Sequence, residues 1–407
     1  MEKLAIHGGK PVREKKFPEW PFWNQDEIIN IIEVIKSGKW GYNEGSKVKE
    51  FEKKFAEYHN ARFGICMNSC TTGLKVALLS MGIGPGDEVI LPAYTFFASA
   101  SSIIETGASP VFVDINPYTY NIDPEKIEES ITDKTKAVMP VHFAGRTAPM
   151  DKIMKIAEKH NLVVVEDAAQ AWGSEWQGEK AGTFGNAGVF SFQSSKNITS
   201  AEGGIIITDD IKIAELSRAY INCGRMENKK WYEHYILGGN WRPTDFQGDI
   251  LLAQLKKYPE LKSLREKNGD YLTQLLKNIK GIEPLKKDEN ITSHSYHIFI
   301  FKYKKEFFNN KPKENFIKAL NAEGIPASPG YSIPLYKQPV FQNNSFGPAG
   351  KKKNIGVNYN SYFLPETEKA CKEEAVWFKQ NLLLGTKNDM ENIAEAIEKV
   401  KKLSSEI

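Results

Sequence analysis

Cysteine is scarce in this chain, with four among 407 residues, at Cys66, Cys70, Cys223 and Cys371. No CxxC pair or His-rich spacing accompanies them, which argues against a disulfide framework or a zinc site and fits reduced thiols in a cytoplasmic protein. Long apolar runs are missing as well. No stretch approaches the roughly 18 apolar residues of a membrane span, and the opening segment 1–11 has no apolar signal core, so neither secretion nor membrane insertion is expected. An excess of one charge is also absent: Lys and Arg total 54 against 51 Asp and Glu, a net +3. The basic residues are interspersed with acids, which does not favour nucleic acid or an anionic membrane as a partner. The sequence lacks GxGxxG and GxxxxGK[ST] patterns, so neither a dinucleotide fingerprint nor a nucleotide triphosphate loop is present. Internal repeats and low-complexity tracts are absent too.

What is present is an ordinary globular balance, 41% hydrophobic and 26% charged, in a chain longer than one hydrophobic core normally supports. Two units are expected, residues 1–248 and 249–407. Dense isoleucines at 28, 29, 31, 32 and 35, followed by Ser37-Gly38, predict a short helix over 24–37, and a second amphipathic pattern covers 48–58. From position 62 short apolar runs alternate with helical patterns. The runs fall at 63–67, 88–91, 110–114, 137–141, 162–166, 188–192 and 204–208, and helical stretches at 73–81, 96–106, 150–160 and 211–222 lie between them. This alternation predicts a doubly wound α/β domain on a largely parallel, seven-stranded sheet. Beyond 249 a long helical pattern reaches 279, followed by a strand at 296–301, a helix around 313–323 and two terminal helices, which predicts a second, smaller α/β unit. The last helix, 388–403, is expected to start on a capping box of Asn388 and Glu391 and to hold its lysines on a solvated face.

Parallel sheets gather function at the carboxyl ends of their strands. Four stretches stand there. Asn68-Ser69-Cys70-Thr71-Thr72-Gly73 is small and polar between a strand and a helix; it serves as an ordinary helix cap or as a cup whose free N–H groups hold a phosphate. Asp167, in Glu166-Asp167-Ala168-Ala169-Gln170, can cap the next helix, or it can hold a proton on a pyridine nitrogen and so make that ring an electron sink. Lys196 lies in the polar loop 191–199 and could reach the same sheet edge to form a Schiff base, with its pKa depressed by a neighbouring cation. Phe96, after the run 88–91, is either core or a surface for stacking on a planar ring.

Taken together these stretches resemble the DegT/DnrJ/StrS family of sugar aminotransferases, pyridoxal-5′-phosphate enzymes of fold type I. The likeness runs from Ile6-His7-Gly8-Gly9-Lys10-Pro11 to about Phe341, and several separate motifs occur in the family's order. The resemblance implies an aspartate-aminotransferase-like fold. It makes Lys196 the cofactor-bound lysine, Asp167 the partner of the pyridine nitrogen, Gln170 the residue facing the phenolic oxygen and Phe96 the stacking aromatic. Cys70, Thr71 and Ser191 match the phosphate cup. Asn240, in Gly239-Asn240-Trp241-Arg242, matches a loop that reaches the phosphate of the partner subunit, which implies a homodimer with shared sites. Two departures stand out: Cys70-Thr71-Thr72 where the family commonly has Gly-Thr-Ala, and Gly45-Ser46-Lys47-Val48 in place of Gly-Pro-x-Val. Retention of lysine at 196 favours transamination over the family's dehydratase branch. His142-Phe143-Ala144-Gly145-Arg146, Phe190-Ser191-Phe192-Gln193 and the stretch from Gly330-Tyr331 to Tyr336 resemble the branch acting on inososes and aminocyclitols or making 3-amino-5-hydroxybenzoate. Tyr331 and Tyr336 are then candidates for the substrate mouth, and L-glutamate or L-glutamine is the implied donor. Two other readings remain: a lyase or dehydratase using the same lysine on a keto-ring substrate, and a sensor without turnover, against which intact Lys196, Asp167 and Gln170 speak.

Overall fold

The computed structural model describes residues 3–347 and 357–407. Its centre is a seven-stranded sheet built from β1 (Phe63–Met67), β2 (Glu88–Pro92), β3 (Ser109–Val113), β4 (Thr135–Val138), β5 (Val163–Asp167), β8 (Ala187–Ser191) and β9 (Gly204–Thr208), in the order β1-β9-β8-β5-β4-β2-β3. Only β9 runs against its neighbours. Between β5 and β8 the chain forms a short hairpin, β6 (Glu175–Trp176) and β7 (Glu179–Lys180), which pairs with β11 (Ile291–Ser293). This third sheet has no counterpart in the sequence reading, because two-residue strands carry no periodicity.

Seven strands and the parallel majority agree with the expectation. The reason lies in composition: β8 and β9 are buried along their whole length, as uninterrupted apolar runs in a sheet covered on both faces must be. Strand ends shift by a residue or more, and one shift matters. β5 includes Asp167, so this acid is the terminal strand residue and its backbone is pinned by the sheet: Asp167 N donates to Pro140 O at 2.9 Å and His142 N to Asp167 O at 3.0 Å.

Helices α1 (Gln25–Ser37) and α2 (Lys47–Tyr58) precede the sheet as expected, and α3 (Cys70–Ser80), α4 (Phe97–Thr106), α6 (Met150–His160) and α7 (Ile211–Ile221) fill the connections, with a short α5 (Pro124–Glu129). The helix after β1 begins at Cys70 and not at Gly73, because Ser69 caps it: its hydroxyl accepts from Thr72 N at 3.2 Å.

The second unit carries a three-stranded sheet, β10 (Ile282–Pro284), β12 (Ile298–Tyr303) and β13 (Ala375–Lys379), with α9 (Lys313–Ala322) and a C-terminal helix, Lys387–Lys402. The long helix α8 (Asp245–Leu276) joins the two units. Its Leu251, Leu255 and Tyr258 pack under the large sheet with Phe51 and Phe55, whereas Leu272 and Leu276 belong to the second core. The division expected at 248/249 therefore falls inside a continuous helix. The start of the chain also crosses over. Leu4 and Phe17 are buried in the second core, and Glu323 accepts from Ala5 N at 2.8 Å and Val12 N at 3.1 Å.

Two details of the last helix differ from the sequence reading. The capping box is Thr386 with Asp389, not Asn388 with Glu391, since Thr386 N donates to Asp389 Oδ2 at 2.7 Å and Asp389 N to Thr386 Oγ1 at 3.3 Å. Its lysines are not all solvated: Lys399 is buried and donates to Glu323 Oε2 at 2.8 Å and to Lys10 O at 2.7 Å. A buried charge is tolerated when it is paired and hydrogen-bonded, and the partners come from distant parts of the chain. Among the described residues no helix is long and apolar enough to cross a membrane.

Candidate active site

Because β1, β2, β4, β5 and β8 share one direction, their carboxyl ends open at one edge of the sheet. Thr95-Phe96, His142, Asp167, Ser191 to Lys196 and the start of α3 all follow from that single fact.

Asp167 is buried at this edge and both of its oxygens are directed: Oδ2 accepts from Ser99 Oγ at 2.7 Å and Oδ1 from Ala169 N at 3.1 Å. Ser99 is in turn linked to Thr95 Oγ1 at 3.0 Å. Burial pushes the Asp167 carboxyl above the usual range, opposed by the bonds from Ser99 and Ala169 and by the charge of Lys196. Ser99 did not figure in the sequence reading. The available signal was a serine in the first turn of the helix that follows the strand end at 92.

Directly behind Asp167 lies a second polar pair. His142 Nε2 meets Glu166 Oε2 at 2.7 Å with both side chains fully buried. His142 Nδ1 accepts from Ala148 N at 3.0 Å, so the ring's hydrogen is on Nε2 and points at the carboxylate. Glu166 also accepts from the backbone of Gly182, Phe184 and Gly185, each at 2.7 Å. From the sequence, His142 serves only as a branch marker. In the structure it braces the strand end that carries Asp167.

Lys196 is half-buried in the loop after β8, where Lys196 N donates to Gln193 O at 2.8 Å and Thr199 Oγ1 to Phe192 O at 3.0 Å. Its amine makes no hydrogen bond or ion pair among the described residues, although Asp167 and Cys70 lie within range of its charge. Burial lowers its pKa, and these two neighbours only partly oppose the shift. An amine pushed towards its neutral form is the form that attacks a carbonyl. The Cys70 thiol is shifted the other way, well above its ordinary value, by burial and by Asp167, and so stays protonated.

Gln170 is buried and oriented: its Oε1 accepts from Ala144 N at 2.7 Å. That leaves the amide hydrogens to donate, and they lie within reach of the Tyr331 hydroxyl. Tyr331 is half-buried among Tyr94, Phe143 and Trp377. Its position depends on Gly330, where φ is +68° and a Cβ would come within 2.3 Å of the Trp377 ring. Phe96 is 60% exposed at the cap of α4, with its ring centroid 6.5 Å from that of Tyr331. A ring that exposed is free to stack on something else.

Tyr336 is a correction. Expected at the substrate mouth, it is fully buried, packs against Phe112 and donates to Glu368 Oε1 at 2.7 Å. A short helical turn, Leu335–Lys337, carries it into the core beneath the large sheet. Asn240 is exposed, and within one chain no hydrogen bond joins its side chain to the residues above.

At the start of α3 the N–H groups of Cys70 and Thr71 occupy the first two helical positions, which have no acceptor within a helix. β9 comes very close here: a Cβ on Gly204 would lie 2.5 Å from Cys70 N. The bare backbone at 204 keeps that amide clear. Ser191, at the end of β8, is buried nearby with only a 3.4 Å contact from Gln193 N to its hydroxyl.

Residues 23–378 match the profile of the DegT/DnrJ/EryC1/StrS aminotransferase family. The chain belongs to that family. It is an aminotransferase of the pyridoxal-phosphate-dependent, fold type I class. A curated relative named as a putative L-glutamine:3-amino-2,3-dideoxy-scyllo-inosose aminotransferase, from Streptoalloteichus tenebrarius, is 35% identical over 408 residues, covering 98% of this chain and 98% of the relative. The crystal structure of 3-amino-5-hydroxybenzoic acid synthase superposes with a TM-score of 0.85 at 30% identity, covering 96% of this chain and 100% of that one. NtdA from Bacillus subtilis, whose crystal structure has the cofactor PMP bound, superposes with a TM-score of 0.82 at 29% identity, covering 96% and 86%.

The family's cofactor fits the chemistry of this edge. An unpartnered amine, a buried carboxylate with fixed orientation, an amide with free hydrogens and a helix start with unused N–H groups match an aldehyde, a ring nitrogen, a phenolic oxygen and a phosphate in kind. One consequence concerns pH. Replacing Ser99 by alanine removes a donor that lowers the Asp167 pKa, so the carboxylate is lost at a higher pH as acid is added. The acid limb of the pH–rate profile of the Ser99→Ala aminotransferase should therefore move to higher pH, and an unmoved limb would mean that Asp167 does not govern it.

Proposed function

We propose that this aminotransferase moves the amino group of L-glutamine, or of L-glutamate, onto the ketone of a keto-cyclitol or keto-sugar. The observation that carries the reading is the meeting of the unpartnered Lys196 amine with the buried, doubly hydrogen-bonded Asp167 carboxylate at one sheet edge. The donor and acceptor classes are supported by the name of the Streptoalloteichus relative, which spans the same length.

Bound pyridoxal phosphate supplies a ring that takes up the electrons of the carbon–hydrogen bond being broken. Asp167 would hold a proton on its ring nitrogen. Gln170 would donate to its phenolic oxygen, Phe96 would cover the ring, and the amides of Cys70 and Thr71 with the Ser191 hydroxyl would hold its phosphate. Lys196 Nζ would take up the proton of the donor α-carbon and so act as the base of the reaction. Tyr331 stands beside Gln170, where the ring substituents of an acceptor would lie.

The proposal includes a homodimer in which Asn240 reaches the phosphate held by the other chain, a cytoplasmic location, and the two-unit division at 248/249. In that division Leu4 and Phe17 pack in the core of the second unit and α8 spans the boundary. Incubation with pyridoxal phosphate, glutamine or glutamate and a panel of inososes and ketoses should yield an amine whose nitrogen comes from the donor. Loss of water without amine formation would point to the lyase reading instead. Mixing Lys196→Ala with Asn240→Ala subunits should restore part of the activity through hybrid dimers carrying one intact site, and no recovery would argue against shared sites.

A further inference from the structure

Thr95 has no role in the reading above. It stands between the end of β2 and Phe96 and is buried, and a threonine before a helix ordinarily spends its oxygen on a backbone N–H of the first turn. Here it does not. Its hydroxyl has one hydrogen-bond partner among the described residues, Ser99 Oγ at 3.0 Å. Ser99 is fully buried in the first turn of α4, and its Oγ has two neighbours, Thr95 Oγ1 and, at 2.7 Å, Asp167 Oδ2. The directions of these bonds are set from both ends. An ionised carboxylate only accepts, so the single hydrogen of Ser99 goes to Asp167. Ser99 Oγ is then an acceptor towards Thr95, whose own hydrogen has no other acceptor.

Two hydroxyls thus form a chain that runs one way and ends on the carboxylate. Each bond in such a chain polarises the next, and the last one, to a charged group, is the shorter of the two. Reversal is costly. If Asp167 took up a proton on the Ser99 side, Ser99 would have to donate to Thr95, and the Thr95 hydrogen would be buried without an acceptor. We infer that Thr95 is a positioning residue for Asp167, acting through Ser99: by donating to Ser99 Oγ it commits the serine hydrogen to the carboxylate and holds Oδ2 as an acceptor. No bond is made or broken, and no proton changes owner. The inference rests on the proposed role of Asp167 opposite the ring nitrogen.

The competing explanation is a staple across the first turn of α4 that steadies the helix and nothing more. The acid limb of the pH–rate profile separates the two. The charged and titratable groups acting on or feeling Asp167 are Lys196 from the loop after β8, His142 after β4, Cys70 at the start of α3 and Tyr331 from the second unit. Thr95→Val keeps the shape of the side chain and alters none of them. With the chain cut, the bond favouring the ionised carboxylate weakens, so the acid limb should move to higher pH, by about half a pH unit and by less than in Ser99→Ala. Thr95→Ser should restore the wild-type limb. In a Ser99→Ala background the chain is already broken, and Thr95→Val should add no further shift.

Melting of the cofactor-free proteins gives a readout without turnover. Ser99→Ala strands the Thr95 hydroxyl in the interior, so Thr95→Val should raise the melting temperature more in that background than in the wild type. Should the valine variant fail to fold, Thr95→Ala carries the same tests. An acid limb unmoved in Thr95→Val, a shift as large in the Ser99→Ala background as in the wild type, or equal melting effects in the two backgrounds would each overturn the inference. Failure of the parent reading has another signature: Asp167→Asn turns over undiminished, and the acid limb of Ser99→Ala itself stays in place.

Discussion

Replacing Lys196 with alanine is expected to abolish the visible absorption of the lysine-bound cofactor and to lower turnover on the order of a thousandfold or more, as loss of both the covalent attachment and the proton carrier requires. Stability should hardly change. The amine has no hydrogen-bond or ion-pair partner among the described residues, so truncation leaves no buried polar group orphaned. Thermal melting and absorption spectra of the two proteins, measured side by side with and without pyridoxal phosphate, decide the matter. An alanine variant that keeps its rate would remove Lys196 from the chemistry altogether.

Asp167→Asn probes charge with little change of shape. The asparagine can keep its oxygen on Ala169 N and donate from its amide to Ser99 Oγ, whose hydroxyl then turns to Thr95 Oγ1. The protein should therefore fold and bind cofactor. Turnover should fall on the order of a hundredfold or more, because the fixed charge that stabilises a protonated ring nitrogen is gone. A second effect has a definite sign. The charge of Asp167 raises the Lys196 pKa against the lowering by burial, so removing that charge lets the Lys196 pKa fall further. The titration of Lys196 should move to lower pH in the variant. Undiminished turnover would separate Asp167 from the ring nitrogen.

How much of this was legible beforehand differs by element. Helix capping illustrates the limit. Asn388 and Glu391 have the spacing of a capping box, but Thr386 and Asp389 have it too, and only the path of the chain after β13 selects between them. Tyr336 failed for a related reason: a tyrosine in a loop looks exposed from sequence, whereas the turn at Leu335–Lys337 drives it under the large sheet. Ser99 and the His142–Glu166 pair passed unnoticed because their importance lies in what they touch, and those contacts close over 68 and 24 positions of sequence.

The sequence by itself determined the seven-stranded α/β sheet, its parallel majority and the line of polar residues at the strand ends, since buried parallel strands must be continuous apolar runs and their connections must be helices. It also determined the residue types at 167, 170 and 196. Tertiary structure alone decided which oxygens of Asp167 are occupied, which way the Gln170 amide faces, and that Lys399 and Tyr336 are interior. Each of those depends on partners brought together by folding, and hydrogen bonds between distant positions leave no local pattern in a chain.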